Sequence, residues 1–483
     1  MLHLVDGGWV EGGGDEVRDS NPTRPGEIVA AGRLVGPSEV DAAVAGARRA
    51  YPAWGHASYA ARAEVLTGTA AILLRNAEAW GTELAREEGK TRVEGIGEVR
   101  RAAEIFRFYA AESTRPVGEL FDSARPGESI QVIHKPIGVV AVITPFNFPI
   151  AIPAWKIAPA LAYGNTVVWK PASTVPLLAM RLTQALVDAG LPAGVLSLLI
   201  ADGPAGAQLV EHDGVDAVTF TGSTPVGRGI IANCGALARP VQTEMGGKNA
   251  AAVLADADLE LAATEVMAGA FRSTGQKCTA TSRLIVHDKI ADEFLSILAD
   301  RARELRVGDP LDPTTEMGPV ISMAARDNIQ QAIDAAIARK PVRVIVGGQP
   351  YDEPVLSAGA FLAPTIVEVT GDDALWREEV FGPVLTVRRA GDDRAALDLI
   401  NASAFGLSAS VFTDNLRSIA AAVDSVEVGV LHINSETSGA APHVPFGGTK
   451  QSAYGPKEQG RAAREFYTTT KTVYIAASTE LPR

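Results

Sequence analysis

Cys278, in the stretch FRSTGQKCTATSR from Phe271 to Arg283, lies between a helix-like run (Asp258 to Ala270) and an apolar strand-like run (Leu284 to His287). A cysteine in a turn between packed elements can meet a substrate, and its thiolate is a nucleophile. The same residue type is common as inert packing, which is how Cys234 reads inside the helical run Val226 to Ala238. Four other places could work with a thiol. Glu244, in TEMGGK, precedes two glycines that let backbone bend sharply, and its carboxylate is either a general base or a solvent-facing acid. Asn147, in TPFNFP, is hemmed by prolines and aromatics; its amide is a satisfied core group or a fixed donor for an oxyanion. Lys170 closes the strand TVVWK ahead of Pro171, so the helix cannot begin there and the amine should face the strand's carboxyl end, to bind ribose or phosphate or simply to be solvated. Gly222 and Gly227 bracket Ser223, Thr224 and Pro225 before a helical run, without the GxGxxG spacing. That turn offers free N–H groups to a pyrophosphate, or is an ordinary capped turn. A thiol, a carboxylate base, an amide donor and a nucleotide crevice are together the parts needed to oxidise an aldehyde through a thioester.

The elements that would hold these groups follow from apolar periodicity. Ser38 to Glu112 reads as three helices punctuated by Pro52, Gly55 and Gly89. A polar, turn-rich passage (Ser113 to Ser129) leads to an exposed strand, Ile130 to His134. From Gly138, near-continuous apolar strands (VVAVIT, TVVWK, VLSLLI, AVTFTG) alternate with amphipathic helices, the pattern of a parallel sheet covered on both faces. Such sheets take ligands at the carboxyl ends of their strands. A second alternation after Gly247 has helices near Leu259 to Ala270, Ile290 to Leu305 and Met323 to Ala338, and strands near Thr365 to Val369, Val384 to Val387 and Leu407 to Phe412. Tyr467 to Ile475 reads as a last strand, far from its own sheet and so suited to pair with another chain. The expected class is α/β: a cofactor-binding domain from residues 1–120 and 138–246, a catalytic domain from 247–450, and an oligomerisation element from 121–137 and 465–483.

At 483 residues the chain exceeds one ordinary core, and 47% hydrophobic with 21% charged residues marks it as globular. A net charge of -13 argues against nucleic acid or an anionic membrane as partner. Two cysteines cannot build a disulfide framework and fit a reducing cytoplasm. No metal site is expected, and the amino terminus lacks the layout of a signal peptide. The most apolar region, Ile137 to Lys170, is cut by Pro145, Pro149, Pro153 and Pro159 and reads as core rather than membrane span.

Taken in order, TPFNFP, WKPAS, FTGSTPVG, EMGGKN, GQKC, EEVFGPV, NASAFGLSASVFT and PFGGTKQS give the chain a resemblance to the NAD(P)-dependent aldehyde dehydrogenase superfamily over nearly its full length. The resemblance implies Cys278 as nucleophile, Glu244 as general base and Asn147 as oxyanion donor. It implies a cofactor site lined by Ile143, Thr144, Pro145, Phe146, Lys170, Ser173, Gly203, Gly222, Ser223, Gly246, Glu379 and Phe381, with Glu379 on the nicotinamide ribose. The site should then lower the Cys278 pKa through nearby donors and the cofactor's charge. Relatives preferring NAD commonly carry a glutamate where Ser173 stands; losing it removes repulsion against a 2′-phosphate, so NADP is expected, with NAD also accepted. Arg272, six positions before Cys278, matches an arginine that grips the substrate carboxylate in succinic semialdehyde dehydrogenases, whereas Trp155 replaces that subfamily's second arginine. The tail PFGGTKQSAYGPKEQGRAAREFYTTTKTVYI and the PAWK run most resemble family members acting on α-ketoglutaric semialdehyde. The alternatives are an aromatic aldehyde enzyme of benzaldehyde or vanillin type, with Trp155 and Phe271 packing a ring, and a catalytically silent relative; a CoA-acylating member usually lacks the base that Glu244 supplies. A homodimer or homotetramer is implied, bridged by the segment near Ala124 to Lys135 and the terminal strand.

Overall fold

The computed structural model describes residues 1–115, 118–339, 342–371 and 373–476. The end of the expected oligomerisation element, 477–483, lies outside the described residues. Three helices come first: α1 (Pro37–His56), α2 (Tyr59–Glu88) and α3 (Arg92–Glu112). Pro52 and Gly55 do not interrupt α1, because Pro52 falls near its end and costs one backbone donor there; the His56 ring contacts the Pro52 carbonyl at 2.7 Å. Gly89 does end α2, with φ of 96°, and Thr91 opens α3 through a capping box with Glu94.

The first large sheet has the parallel order Leu196–Leu198, Thr166–Lys170, Val139–Ile143, Ala217–Thr221, Val241–Glu244. Its central strand shows why the run is apolar throughout. Val140 and Val142 join the core under α2, α3 and α4 (Ala151–Ala162), whereas Val139, Ala141 and Ile143 face the opposite core under α1. Alternate residues point to opposite faces, and helices cover both. Short antiparallel strands extend both sides, His3–Val5 and then Gly8–Val10 at one edge and Ala453–Tyr454 at the other. Between the parallel strands run α5 (Pro176–Asp188), α6 (Gly203–Glu211) and α7 (Thr224–Ala236).

A second sheet follows α7 and carries Cys278. Asn249–Val253 lies between Thr281–His287 and Ser408–Phe412, and α8 (Leu259–Phe271) packs against its face. The terminal strand Thr468–Ala476 exists as expected but pairs along its whole length with Glu128–Pro136 of its own chain. The third strand of this sheet, Gly118–Asp122, pairs with the far side of Glu128–Pro136 and is a fully exposed strand inside the passage read as turns; exposure on both faces removes the apolar alternation that would have marked it. No helix among the described residues is long and apolar enough to cross a membrane.

Candidate active site

Register sets the crevice. Ile143 is level with Lys170 and with Phe220, and Thr221 is level with Glu244, so four strands end at one edge. The loop after Ile143 is pinned there: Thr144 N–H donates to the Lys170 carbonyl at 3.1 Å, and Trp169 Nε1 donates to Thr144 Oγ1 at 2.9 Å. Past Thr221, Gly222 and Ser223 lead into α7, and the Ser223 side chain makes no capping bond. Among the described residues Thr221 Oγ1 and Thr224 Oγ1 are buried without a partner. The Lys170 amine reaches only the Pro171 carbonyl, at 3.4 Å; burial lowers its pKa against the pull of Asp202, which caps α6 just before Gly203. An open helix amino end, two orphaned hydroxyls and an underused buried amine fit a dinucleotide. Ser173 is half-buried in the loop beyond Lys170.

On the other side of the crevice Phe381 stacks edge-on against Phe146, centroids 5.8 Å apart, and holds a φ of 56° that aromatic residues rarely adopt. Glu379 accepts from Gly247 N–H at 2.9 Å, and a side chain at Gly246 would collide with its carboxylate. Burial pushes Glu379 up to about 7, opposed by that bond and by Lys248.

Cys278 retains some solvent exposure in a turn built under strain. Ser273, Thr274 and Gly275 all have left-handed φ, at 52°, 54° and 69°, and two of the three are not glycine. The turn is tied down on every side. Ser273 N–H donates to Glu94 at 2.8 Å and Thr274 Oγ1 to the Gly318 carbonyl at 3.0 Å. Asn147 Nδ2 donates to the Gln276 carbonyl at 2.8 Å, which fixes its amide and leaves one N–H hydrogen uncommitted. Asn249, which the sequence reading passed over, holds the carbonyls of Cys278 (2.8 Å) and Ala280 (2.9 Å) through Nδ2, while its Oδ1 accepts from Ser408 N–H (3.1 Å).

Charge around the sulfur runs against expectation. Burial first, and then the carboxylates of Glu244, Glu379 and Glu458, push the Cys278 thiol well above its ordinary range; only its own backbone N–H works the other way. The protein alone therefore does not make a thiolate, because acids and not cations face it. Glu244 is itself buried and raised, by desolvation and by Glu458, against Lys457, the Gly448 N–H at 3.3 Å and Lys156. Lys156, fully buried, bridges Thr219 Oγ1 (2.9 Å) and Glu458.

A cavity of about 490 Å³ opens onto Cys278, walled by Trp155, Phe446, Phe148, Arg272, Lys277 and Glu436 among others. Asn147 and Glu244 are not on that wall; both are buried. Phe271 is not in the cavity either: as the last residue of α8 its ring points into the second sheet's core. Arg272, expected to grip a carboxylate inside the pocket, stands at its mouth with 63% of its side chain exposed and Glu436 at 3.5 Å.

Compared with known proteins, residues 9–473 match the model of the aldehyde dehydrogenase family. The chain is 41% identical to alpha-ketoglutaric semialdehyde dehydrogenase of Bacillus subtilis over 98% of both chains, and 40% identical to alpha-ketoglutarate semialdehyde dehydrogenase of Haloferax volcanii over the same share of each. It superposes on betaine aldehyde dehydrogenase of Staphylococcus aureus, solved in complex with NAD+, with a TM-score of 0.95 at 31% identity, covering 99% of this chain and 95% of that one.

Proposed function

The chain belongs to the aldehyde dehydrogenase family, and from that membership we propose that this NAD(P)-dependent oxidoreductase converts an acidic semialdehyde, α-ketoglutaric semialdehyde foremost, to the corresponding acid. The observation that carries this reading is the cavity itself, which joins the only cysteine in the crevice to the guanidinium of Arg272. The names of the two relatives at 41% and 40% identity support the same substrate. The aromatic-aldehyde alternative loses one of its two rings, since Phe271 is committed to the core.

In the proposed mechanism the Cys278 thiol proton passes to solvent through the cavity, and Sγ bonds to the aldehyde carbon as its C=O double bond opens. The carbonyl oxygen becomes an oxyanion, for which the free Asn147 amide hydrogen and the Cys278 backbone N–H are the donors. A nicotinamide dinucleotide held there would supply the hydride acceptor needed to oxidise the carbon on Cys278 to a thioester, and its positive ring would offset the acids that raise the thiol. Glu244, once charged, takes a proton from water; the hydroxyl adds to the thioester carbon, the C–S bond breaks, and the acid leaves. Lys170, Ser173, Gly203, Gly222 and Ser223 would hold the dinucleotide, with Phe146, Phe381 and Glu379 at its nicotinamide end. With no carboxylate at Ser173, NADP is the proposed preference, and kcat/KM for the two dinucleotides decides it.

A panel of aldehydes tests the substrate. We expect kcat/KM for α-ketoglutaric semialdehyde to exceed that for benzaldehyde by about tenfold or more, the worth of one charge-assisted contact; the reverse order would overturn the reading. Two free thiols suit the cytoplasm as the compartment. The exposed Leu120, Phe121, Tyr474 and Ile475 on the three-stranded sheet support a homodimer or homotetramer built through that sheet, which sedimentation reads directly.

A further inference from the structure

One stripe of α3 faces the cavity: Glu94, Gly97, Glu98, Arg101 and Glu104, three or four residues apart. The charges along its deep end are spent. Glu94 accepts from the backbone of Thr91 and Ser273, and Glu98 takes the N–H groups of Ile150 (3.0 Å) and Ala151 (3.2 Å) as well as the Lys90 amine at 2.7 Å. Arg272, at the mouth, and the buried Lys277 share one carboxylate, Glu436, at 3.5 and 3.4 Å. Arg101 differs from all of these. Its side chain is only 28% exposed, yet its one ion pair among the described residues is a 3.6 Å approach to Glu104, which is itself 60% exposed. Its neighbour Arg100 also lines the cavity, but it is 58% exposed and already holds Glu78 at 3.0 Å. Burial draws the Arg101 pKa down, and the half-solvated Glu104 carboxylate offsets that desolvation only in part. A planar donor fork so placed, on a cavity wall, is matched to a carboxylate.

We propose that Arg101 is a specificity residue: with Arg272 it binds the carboxylate of the semialdehyde while the aldehyde end reaches Cys278. This rests on the acidic-semialdehyde reading. The test compares wild type, Arg101→Met, Arg101→Lys and Glu104→Gln on α-ketoglutaric semialdehyde and on a neutral aldehyde of equal chain length, with 2-oxoglutarate as an unreactive competitor. In Arg101→Met we expect KM for the acidic substrate and Ki for 2-oxoglutarate to rise about 10- to 100-fold, the loss of one charge-assisted pair, with a much smaller change in kcat. Arg101→Lys should recover part of the loss. Glu104→Gln, which frees the guanidinium, should lower both constants, and it serves equally if Arg101→Met folds poorly. Equal losses on acidic and neutral substrates, or no effect of Glu104→Gln, would overturn the role of Arg101 while leaving the substrate class standing. A wild-type enzyme with no preference for the acidic substrate would remove both.

Discussion

Cys278 is a thiol among acids, and two of its properties follow from that alone. In the protein without cofactor, burial and the carboxylates of Glu244, Glu379 and Glu458 hold the proton on sulfur. Alkylation by iodoacetamide should therefore keep accelerating above pH 8.5, where an ordinary thiol levels off at its pKa of about that value. A plateau at neutral pH in the cofactor-free protein would refute the electrostatic account, and Cys278→Ala identifies which sulfur is labelled. In the proposed mechanism Glu244 has the opposite requirement, since a base must be charged and its carboxyl lies above the carboxylate range through burial and Glu458. Deacylation should rise with pH as that carboxyl ionises. Glu244→Gln should give one stoichiometric burst of reduced cofactor and a steady state lower by about 100-fold or more; steady turnover at the wild-type rate would remove Glu244 from the mechanism. These residue types were legible in the sequence because a lone thiol and a carboxylate beside paired glycines are visible as letters. The Lys156–Glu458 pair behind them was not, since its members stand 302 residues apart and nothing local in either stretch names the other.

At the level of elements, the strand–helix alternation that encodes both sheets was legible because each buried strand is apolar throughout and each helix has one apolar face. The short exposed strands were not, and neither was the shape of the nucleophile turn. Ser273 and Thr274 carry no glycine-like signature, yet both are left-handed, because tertiary bonds to Glu94 and Gly318 outweigh their local preference. Gly275 completes the turn with φ of 69°, and a Cβ there would strike the backbone of Gly382. Gly275→Ala should thus cost about 2–3 kcal/mol from strain and displacement together, and lower kcat more than it raises the cofactor's KM, because the turn carries the sulfur and not the dinucleotide. Differential scanning calorimetry and steady-state kinetics check the two halves. A variant as stable and as active as wild type would mean that the turn is not under the constraint its dihedrals imply. Asn249 is the complementary device: it ties the carbonyls of Cys278 and Ala280 to the adjoining strand, so turn and sheet move as one.

The whole molecule depends on the joint between its two sheets, because Glu244 ends a strand of the first and Asn249 begins a strand of the second. Gly246, Gly247 and Lys248 are all that lies between them beyond Met245, and Lys248 is 2% exposed. Burial first, and then Arg283, lowers its pKa to about 7, against the carboxylates of Glu379, Glu378 and Asp373. Facing it, Glu379 is raised to about 7. The signs give opposite limbs. Glu379 binds its proton more tightly folded than unfolded, so its contribution to stability is full at low pH and falls as pH climbs toward 7. Lys248 binds its proton less tightly folded than unfolded, so its cost is full below 7 and is relieved as pH rises from 7 toward 10.5, the ordinary lysine value. Together the pair places a stability minimum near neutrality at the joint on which the alignment of crevice and nucleophile depends. Each limb can reach roughly 1 kcal/mol per pH unit, the linkage of one proton. Denaturant midpoints at pH 5.5, 7 and 9 should show the alkaline limb flattened in Lys248→Met and the acid limb flattened in Glu379→Gln. An alkaline slope that survives Lys248→Met unchanged would mean that the amine keeps its proton in the folded state and that the joint is held by a charged pair.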